Sequence, residues 1–399
     1  MSAYAVVNAR AAPAAEAYGA ARSRVLSAAG FAAAAAEIST WPGYAPTPLR
    51  LLPGLAHQLG LREVWYKDER SRFGLKSFKA LGGAYAVANV LKRAIRAAGR
   101  GDATSIELVS GAFKDIEAGV TVTCATDGNH GRSVAWGARL FGCRCVIYVH
   151  EKVSRGRRDA IAHYGADVVE VKGNYDDAVR HAAATAAANS WTVVSDTSYP
   201  GYREIPTDVM HGYGVMAAEI GARLATPPTH VFVQAGVGAL AAAMCADFWL
   251  RWGRQRPRCV IVEPTAADCV TRSLVAGRPV AVAGELNTIM AGLACGEVSE
   301  LAWEILATGA DAAVAVSDTY ALAAVRALAN PSPGDPAIVS GETGAAGLAA
   351  LLAAQEDPAI GAALALDANS RVLLLGSEGD TDAAIYQDIV GRSADEVLG

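Results

Sequence analysis

The sequence predicts an α/β protein built on parallel sheets, and three observations carry that prediction. From about residue 60 onward, short β-branched runs alternate with longer Ala/Leu-rich stretches. The short runs are apolar throughout rather than alternating, as strands are when helices cover both faces of a sheet. The chain has 399 residues, 52% hydrophobic against 19% charged, enough for two or three packed units with a large core.

Taken in order, strands are predicted at 64–67, 121–125, 145–149, 168–171, 192–195, 230–234, 259–263, 312–316 and 371–375. Helices are predicted at 80–98, 132–141, 176–189, 239–252 and 318–330. Residues 100–116 are polar and glycine-bearing and read as a connection. The first forty residues are Ala-rich without strand signals, so they read as helical or partly frayed. No period of 20 to 50 residues recurs, which argues against a solenoid.

Charge and cysteine usage narrow the class of partner. Thirty-five basic and 40 acidic residues give a net charge of −5 without long blocks, which leaves no footprint for nucleic acid or an anionic membrane. A small molecule is the expected partner. The most apolar stretch, 235–246, is closed by Asp247 and is well short of the roughly twenty residues a membrane span needs. The N-terminus has no basic start followed by an apolar core, so no secretion signal is read. Seven cysteines at scattered spacing, with no CxxC pair, predict no metal site and a reduced, cytoplasmic compartment.

Four segments carry chemistry. Lys79 follows Ser77 and Phe78 at the predicted start of an Ala-rich helix. The positive end of a helix and apolar surroundings both disfavour a charged amine, so this lysine is expected to be nucleophilic and able to form a Schiff base. The run Thr126, Asp127, Gly128, Asn129, His130, Gly131 joins a strand to a helix, where glycines let backbone N–H groups approach an anion. The run Gln234, Ala235, Gly236, Val237, Gly238, Ala239 has the form of a phosphate cradle. The fourth segment, Gly376, Ser377, Glu378, Gly379, Asp380, offers a hydroxyl and two carboxylates at the carboxyl end of a strand. A rival reading arises at the third segment. Gly236, Gly238 and Ala241 match G-x-G-x-x-A, and Glu263 ends the next strand, as in a nicotinamide-dependent dehydrogenase. That unit accounts for neither Lys79 nor Asp127.

Together with 44–49, 287–297 and 340–342, these segments resemble the fold-type II pyridoxal-phosphate-dependent lyases, and among them the diaminopropionate ammonia-lyases. The matching blocks run in order from about residue 41 to 385, and the one at 287–297 is the most specific. The resemblance implies two open, twisted, mostly parallel sheets flanked by helices, with the active site between two domains. It divides the chain into a large cofactor-binding domain, 1–85 with 200–399, and a smaller inserted α/β domain, 86–199.

Carried over residue by residue, Lys79 would hold pyridoxal 5′-phosphate covalently, with Phe78 beside it. Asn129 would bind the ring's 3-oxygen, residues Gly236, Val237, Gly238 and Ala239 its phosphate, and Ser377 its pyridine nitrogen. Lys79 would take the α-proton of an L substrate and Asp127 that of a D substrate. Asp196 would hold the β-ammonium group, with Gly128 and Tyr175 also near the substrate. The implied reaction is α,β-elimination of 2,3-diaminopropionate to pyruvate and two ammonia, by a homodimer. A serine- or threonine-type dehydratase, a lyase for another β-substituted amino acid and a non-catalytic metabolite-binding protein are the remaining alternatives. His130 reads as a structural histidine, and Cys269 and Cys295, which lie in or beside matching blocks, as free thiols.

Overall fold

The computed structural model describes residues 2–399, apart from the side chain of Asp176. Its strands are β1 (Ala3–Val7), β2 (Leu49–Leu51), β3 (Glu63–Asp68), β4 (Thr121–Ala125), β5 (Arg144–His150), β6 (Asp167–Val171), β7 (Thr192–Val193), β8 (His230–Gln234), β9 (Arg258–Pro264), β10 (Ala312–Val316) and β11 (Arg371–Gly376). The chain divides into two compact units. One comprises the chain up to Ala28 with Pro46–Ser77 and Met216–Gly399; the other comprises Ala29–Ala45 and Phe78–Val215.

The first unit holds a seven-stranded sheet in the order β1-β10-β9-β8-β11-β3-β2. Every pairing from β10 to β3 is parallel, and β1 and β2 add antiparallel edges. Strands β8 and β10 are buried at every position, β9 and β11 at all but the first. This is why their sequences are unbroken apolar runs. Phe232, Val260, Val262, Val314 and Leu374 pack there with Leu348 and Ala349 of the helix Ala346–Glu356 in one continuous core. The second unit holds a four-stranded parallel sheet, β6-β5-β4-β7. Val146 and Tyr148 pack there on Ala178 and Ala182 of the helix Tyr175–Asn189.

The predicted parallel strands lie where the apolar runs placed them, and three expectations need correction. The first forty residues contain strand β1, whose Ala3 to Val7 pair with Val316 to Ala312. Edge strands are half exposed and short, so β1 lacks the apolar run that reveals a central strand. Strand β2 was missed for the same reason. Residues 100–116 are not a bare connection: they contain the helices Ser105–Ser110 and Lys114–Glu117, the first opened by a capping box between Thr104 and Glu107.

The first unit also buries a closed set of charges. Lys67 Nζ donates to Glu219 Oε2 at 2.5 Å and to the Thr47 carbonyl at 2.8 Å. Arg72 grips two carboxylates in bidentate fashion, Glu219 through contacts of 2.8 Å and Glu69 through contacts of 2.9 Å. Thr47 Oγ1 completes the set by donating to Glu69 at 2.5 Å. Lys67, Glu69 and Arg72 are each no more than 1% exposed, so the two cations and two carboxylates neutralise one another out of water. Thr47, in the sequence block at 44–49, therefore meets Lys67 and Glu69 in a structural role. Among the described residues no helix is long and apolar enough to cross a membrane.

Candidate active site

In the second unit, Lys79 caps the helix Ala80–Ala97, whose opening residues are small for a packing reason. A Cβ on Gly82 would lie 2.4 Å from Tyr213 Cε1, and one on Gly83 would lie 2.0 Å from Ser133 Oγ. These glycines let the helix seat closely on its neighbours. Lys79 Nζ donates to Asp196 Oδ2 at 2.5 Å and lies 5.3 Å from the Phe78 ring centroid and 5.7 Å from that of Tyr213. Burial alone would depress the Lys79 ammonium, but the charge of Asp196 outweighs it and holds the amine well above its ordinary value. Burial likewise opposes the Asp196 charge, but Lys79 outweighs it and holds that carboxyl well below its usual range. The sequence expectation of a lysine inclined to lose its proton is thus reversed in the free chain. The helix terminus and the apolar rings are present, but a carboxylate 117 residues away decides the charge state.

Asp196 sits in the loop after β7, which Tyr202 pins by accepting from Ser195 N at 3.0 Å and donating to Val193 O at 2.9 Å. His130 Nε2–H donates to Val194 O at 2.8 Å, leaving Nδ1 3.8 Å from Asp196 Oδ2 without a hydrogen-bond partner in a buried position. Burial pushes the His130 pKa down, so the ring is neutral and Nδ1 is an acceptor.

The loop after β4 is held by Thr126, whose Oγ1 accepts from Gly128 N and Gly131 N, each at 3.0 Å. Gly128 has φ +154° and ψ −86°, a conformation open to glycine, and the helix Asn129–Phe141 starts from it. Asn129 Oδ1 accepts from Arg132 at 3.2 Å. Asp127 Oδ1 meets His150 Nε2 at 2.9 Å. Tyr175 is 41% exposed in the first turn of its helix.

In the first unit, β8 ends at Gln234 and the helix Ala239–Trp252 begins from Gly238, which has φ +91°. A Cβ on Gly236 would lie 2.8 Å from Gly292 O and 2.9 Å from Cys295 Sγ, so the block at 287–297 presses directly on this loop. Ser299 N fixes it further by donating to Val237 O at 2.9 Å. Such a loop offers the unspent N–H groups of a helix start to an anion. Ser377 is 1% exposed and its Oγ accepts from Gln234 Nε2 at 2.6 Å. The two carboxylates beside it are spent in the fold: Glu378 accepts from Thr343 N, and Asp380 from Arg70 and Lys76.

Glu263, the acid on which the dehydrogenase reading leaned, is also spent. Its oxygens accept from Val270 N at 2.8 Å, Thr271 N at 2.7 Å and Thr271 Oγ1 at 2.6 Å, at the start of the helix Cys269–Ala276. Burial pushes its carboxyl up to about 7 against those bonds, and neither oxygen is left for a ribose. Cys269 and Cys295 are thiols.

A lysine amine, a glycine cradle at a helix start and a buried serine hydroxyl are the kinds of group that an aldehyde, a phosphate and a pyridine nitrogen require. The residues present fit pyridoxal phosphate. Sequence reasoning missed Tyr213 and His150, and gave no separate role to Gln234 within the run 234–239. The last two are polar residues ending parallel strands, the position from which α/β sheets address ligands, and that is the signal that finds them.

Comparison with known proteins gives the same answer. The family described as pyridoxal-phosphate dependent enzyme matches residues 40–375. The diaminopropionate ammonia-lyase of Escherichia coli strain K12 is 42% identical over 358 residues, covering 87% of this chain and 88% of that protein. The crystal structure of the Escherichia coli enzyme in complex with D-serine superposes with a TM-score of 0.88 at 37% identity, over 98% of each chain. The same enzyme with an aminoacrylate-PLP azomethine reaction intermediate gives 0.86 at 38% identity, over 98% of this chain and 97% of that one. The chain belongs to the pyridoxal-phosphate dependent enzymes of fold type II, and within them to the diaminopropionate ammonia-lyase family.

Proposed function

We propose that the chain catalyses α,β-elimination of both isomers of 2,3-diaminopropionate, giving pyruvate and two molecules of ammonia. The observation that carries this reading is the 2.5 Å contact between Asp196 Oδ2 and the Lys79 ammonium, with the acceptor His130 Nδ1 3.8 Å from the same oxygen. This is a ready-made seat for a primary ammonium group. When Lys79 is engaged by the cofactor, Asp196 loses that partner and takes the β-ammonium of the substrate in its place.

Pyridoxal phosphate, when bound, supplies the electron sink for the α-carbon. The chain supplies the rest. Lys79 anchors the cofactor and removes the α-proton of the L isomer, and Asp127 removes that of the D isomer. Residues 236–239 take the phosphate, Asn129 the ring's 3-oxygen, and Phe78 lies beside Lys79; Gly128 and Tyr175 border the substrate. Ser377 would set its hydroxyl against the pyridine nitrogen. A hydroxyl does not protonate that nitrogen firmly, which favours elimination over transamination. The unsaturated product hydrolyses in water to pyruvate and the second ammonia. The same family reading makes the working form a cytoplasmic homodimer.

Pyruvate release from D- and L-diaminopropionate, compared with L-serine and L-threonine, tests the reading. A charge-assisted contact that a hydroxyl cannot reproduce gives a preference in kcat/KM of roughly ten- to a hundredfold for the diamine. Two ammonia per pyruvate should accompany it. Faster turnover of serine or threonine rejects the assignment. In the same assay Asp127→Asn should cut the D reaction by about a hundredfold or more and the L reaction far less. Equal loss on both isomers rejects the division of labour between Lys79 and Asp127.

A further inference from the structure

We infer that His150 is the positioning residue for Asp127, fixing which carboxylate oxygen is turned toward the D substrate. The inference rests on the proposed role of Asp127 and goes beyond it by assigning a second residue to the D half of the reaction.

Strand register brings the two together. In the parallel pair of β4 and β5, Ala125 lies opposite Tyr148, and Thr126 N still donates to Tyr148 O at 3.0 Å. Two residues farther along each strand stand Asp127 and His150. Parallel strands that end side by side deliver such a pair at their carboxyl ends, where open α/β sheets meet ligands. His150 is also tied to the other side, since β5 pairs with β6 as far as His150 and Val171. Its backbone is therefore part of the sheet, while Asp127 belongs to a loop.

The tautomer follows from chemistry. Lys152 N lies 3.3 Å from His150 Nδ1, and a backbone amide can only donate, so Nδ1 is the acceptor and Nε2 carries the proton. Nε2–H then donates to Asp127 Oδ1 at 2.9 Å. With Oδ1 taken, Oδ2 is the oxygen left to accept a proton from carbon. On the backbone side, Arg157 Nη1 reaches the Asp127 carbonyl at 3.4 Å and keeps the residue from turning as a whole. The side chains of Asp127 and His150 are 33% and 16% exposed, so the carboxylate is reachable and its holder is mostly covered. A loop carboxylate without such a partner samples several rotamers, and misplacement of a reacting group by about 1 Å costs on the order of a hundredfold in rate.

The test uses the holoenzyme with both isomers of diaminopropionate, and the cofactor-free chain for spectroscopy. His150→Phe should lower the D-to-L ratio of kcat/KM by roughly ten- to a hundredfold, mainly through kcat for the D isomer. His150→Gln, whose amide offers an N–H in the same direction, should recover most of the ratio. In the cofactor-free chain, imidazole nitrogen NMR should report His150 protonated at Nε2, with that signal altered by Asp127→Asn. A ratio unchanged in His150→Phe, or equal losses on both isomers, overturns the inference, because a merely structural histidine acts on both alike. An Nδ1-protonated ring overturns it independently of any rate. If Asp127→Asn itself spares the D isomer, the reading beneath it falls and takes the inference with it. If Asp127→Asn is D-selective and His150→Phe is not, only the inference falls.

Discussion

Lys79→Ala is expected to abolish pyruvate formation from both isomers, by at least about a thousandfold, since on the proposed mechanism the same amine would anchor the cofactor and move a proton. Steady-state assay with added pyridoxal phosphate measures this, and retained elimination overturns the assignment of Lys79. Absorbance of the purified variant establishes whether cofactor is still bound, which separates lost chemistry from lost binding. The substitution has a second consequence in the free chain. Asp196 is held below the ordinary carboxylate range because Lys79 outweighs the opposing effect of burial. Such a depressed acid contributes stability that is present above its unfolded value of about 3.9 and lost as pH falls through the lower folded value. Without Lys79, burial is opposed by less, the Asp196 carboxyl rises, and the acid limb of the stability profile should move to higher pH.

Glu219→Ala is expected to produce the largest loss of stability, on the order of 3–5 kcal/mol, because it leaves Lys67 and Arg72 facing Glu69 alone in a dry interior. The unfolding temperature should fall by about 5 °C. The double variant Lys67→Met with Glu219→Gln restores charge balance around the remaining Arg72 and Glu69 pair, and should recover a substantial part of the loss. A single variant as stable as the parent would mean that water or movement relieves the charge. Burial opposes ionisation of Glu219, but its bonds to Arg72 and the charges of Arg72 and Lys67 hold its carboxyl below the ordinary glutamate value. The stabilisation is therefore present above about pH 4.3 and lost as pH falls through the depressed folded value, so the variant should show a shallower acid limb.

Much of the fold was legible in the chain because its signals are local. A run such as His230 to Gln234 is apolar from end to end because both faces of its strand are covered, and that pattern is written in five consecutive letters. The loops at Asp127 and Gly236 were legible for the same reason, since glycine next to a strand end is a backbone requirement. Strand β1 was not, because its only reason to be extended is β10, some three hundred residues later. The helix Ser105–Ser110 was passed over although Thr104 and Glu107 spell a capping box, a local signal outweighed by the polar composition around it.

What the sequence by itself determined is the inventory: a lysine at a helix start, two glycine loops at strand ends, a hydroxyl after the last strand, and through them the cofactor family. What only the tertiary structure decided is the company those residues keep. Lys79 carries its proton because Asp196 meets it, Ser377 Oγ accepts from Gln234 across 143 residues of chain, and Asp127 meets His150 where two parallel strands end in register. The physical reason is that charge and hydrogen bonding act across a few ångströms of space whatever the separation along the chain, and burial strengthens them by removing water. Composition and spacing fix which groups exist; folding fixes which of them are near enough to change one another.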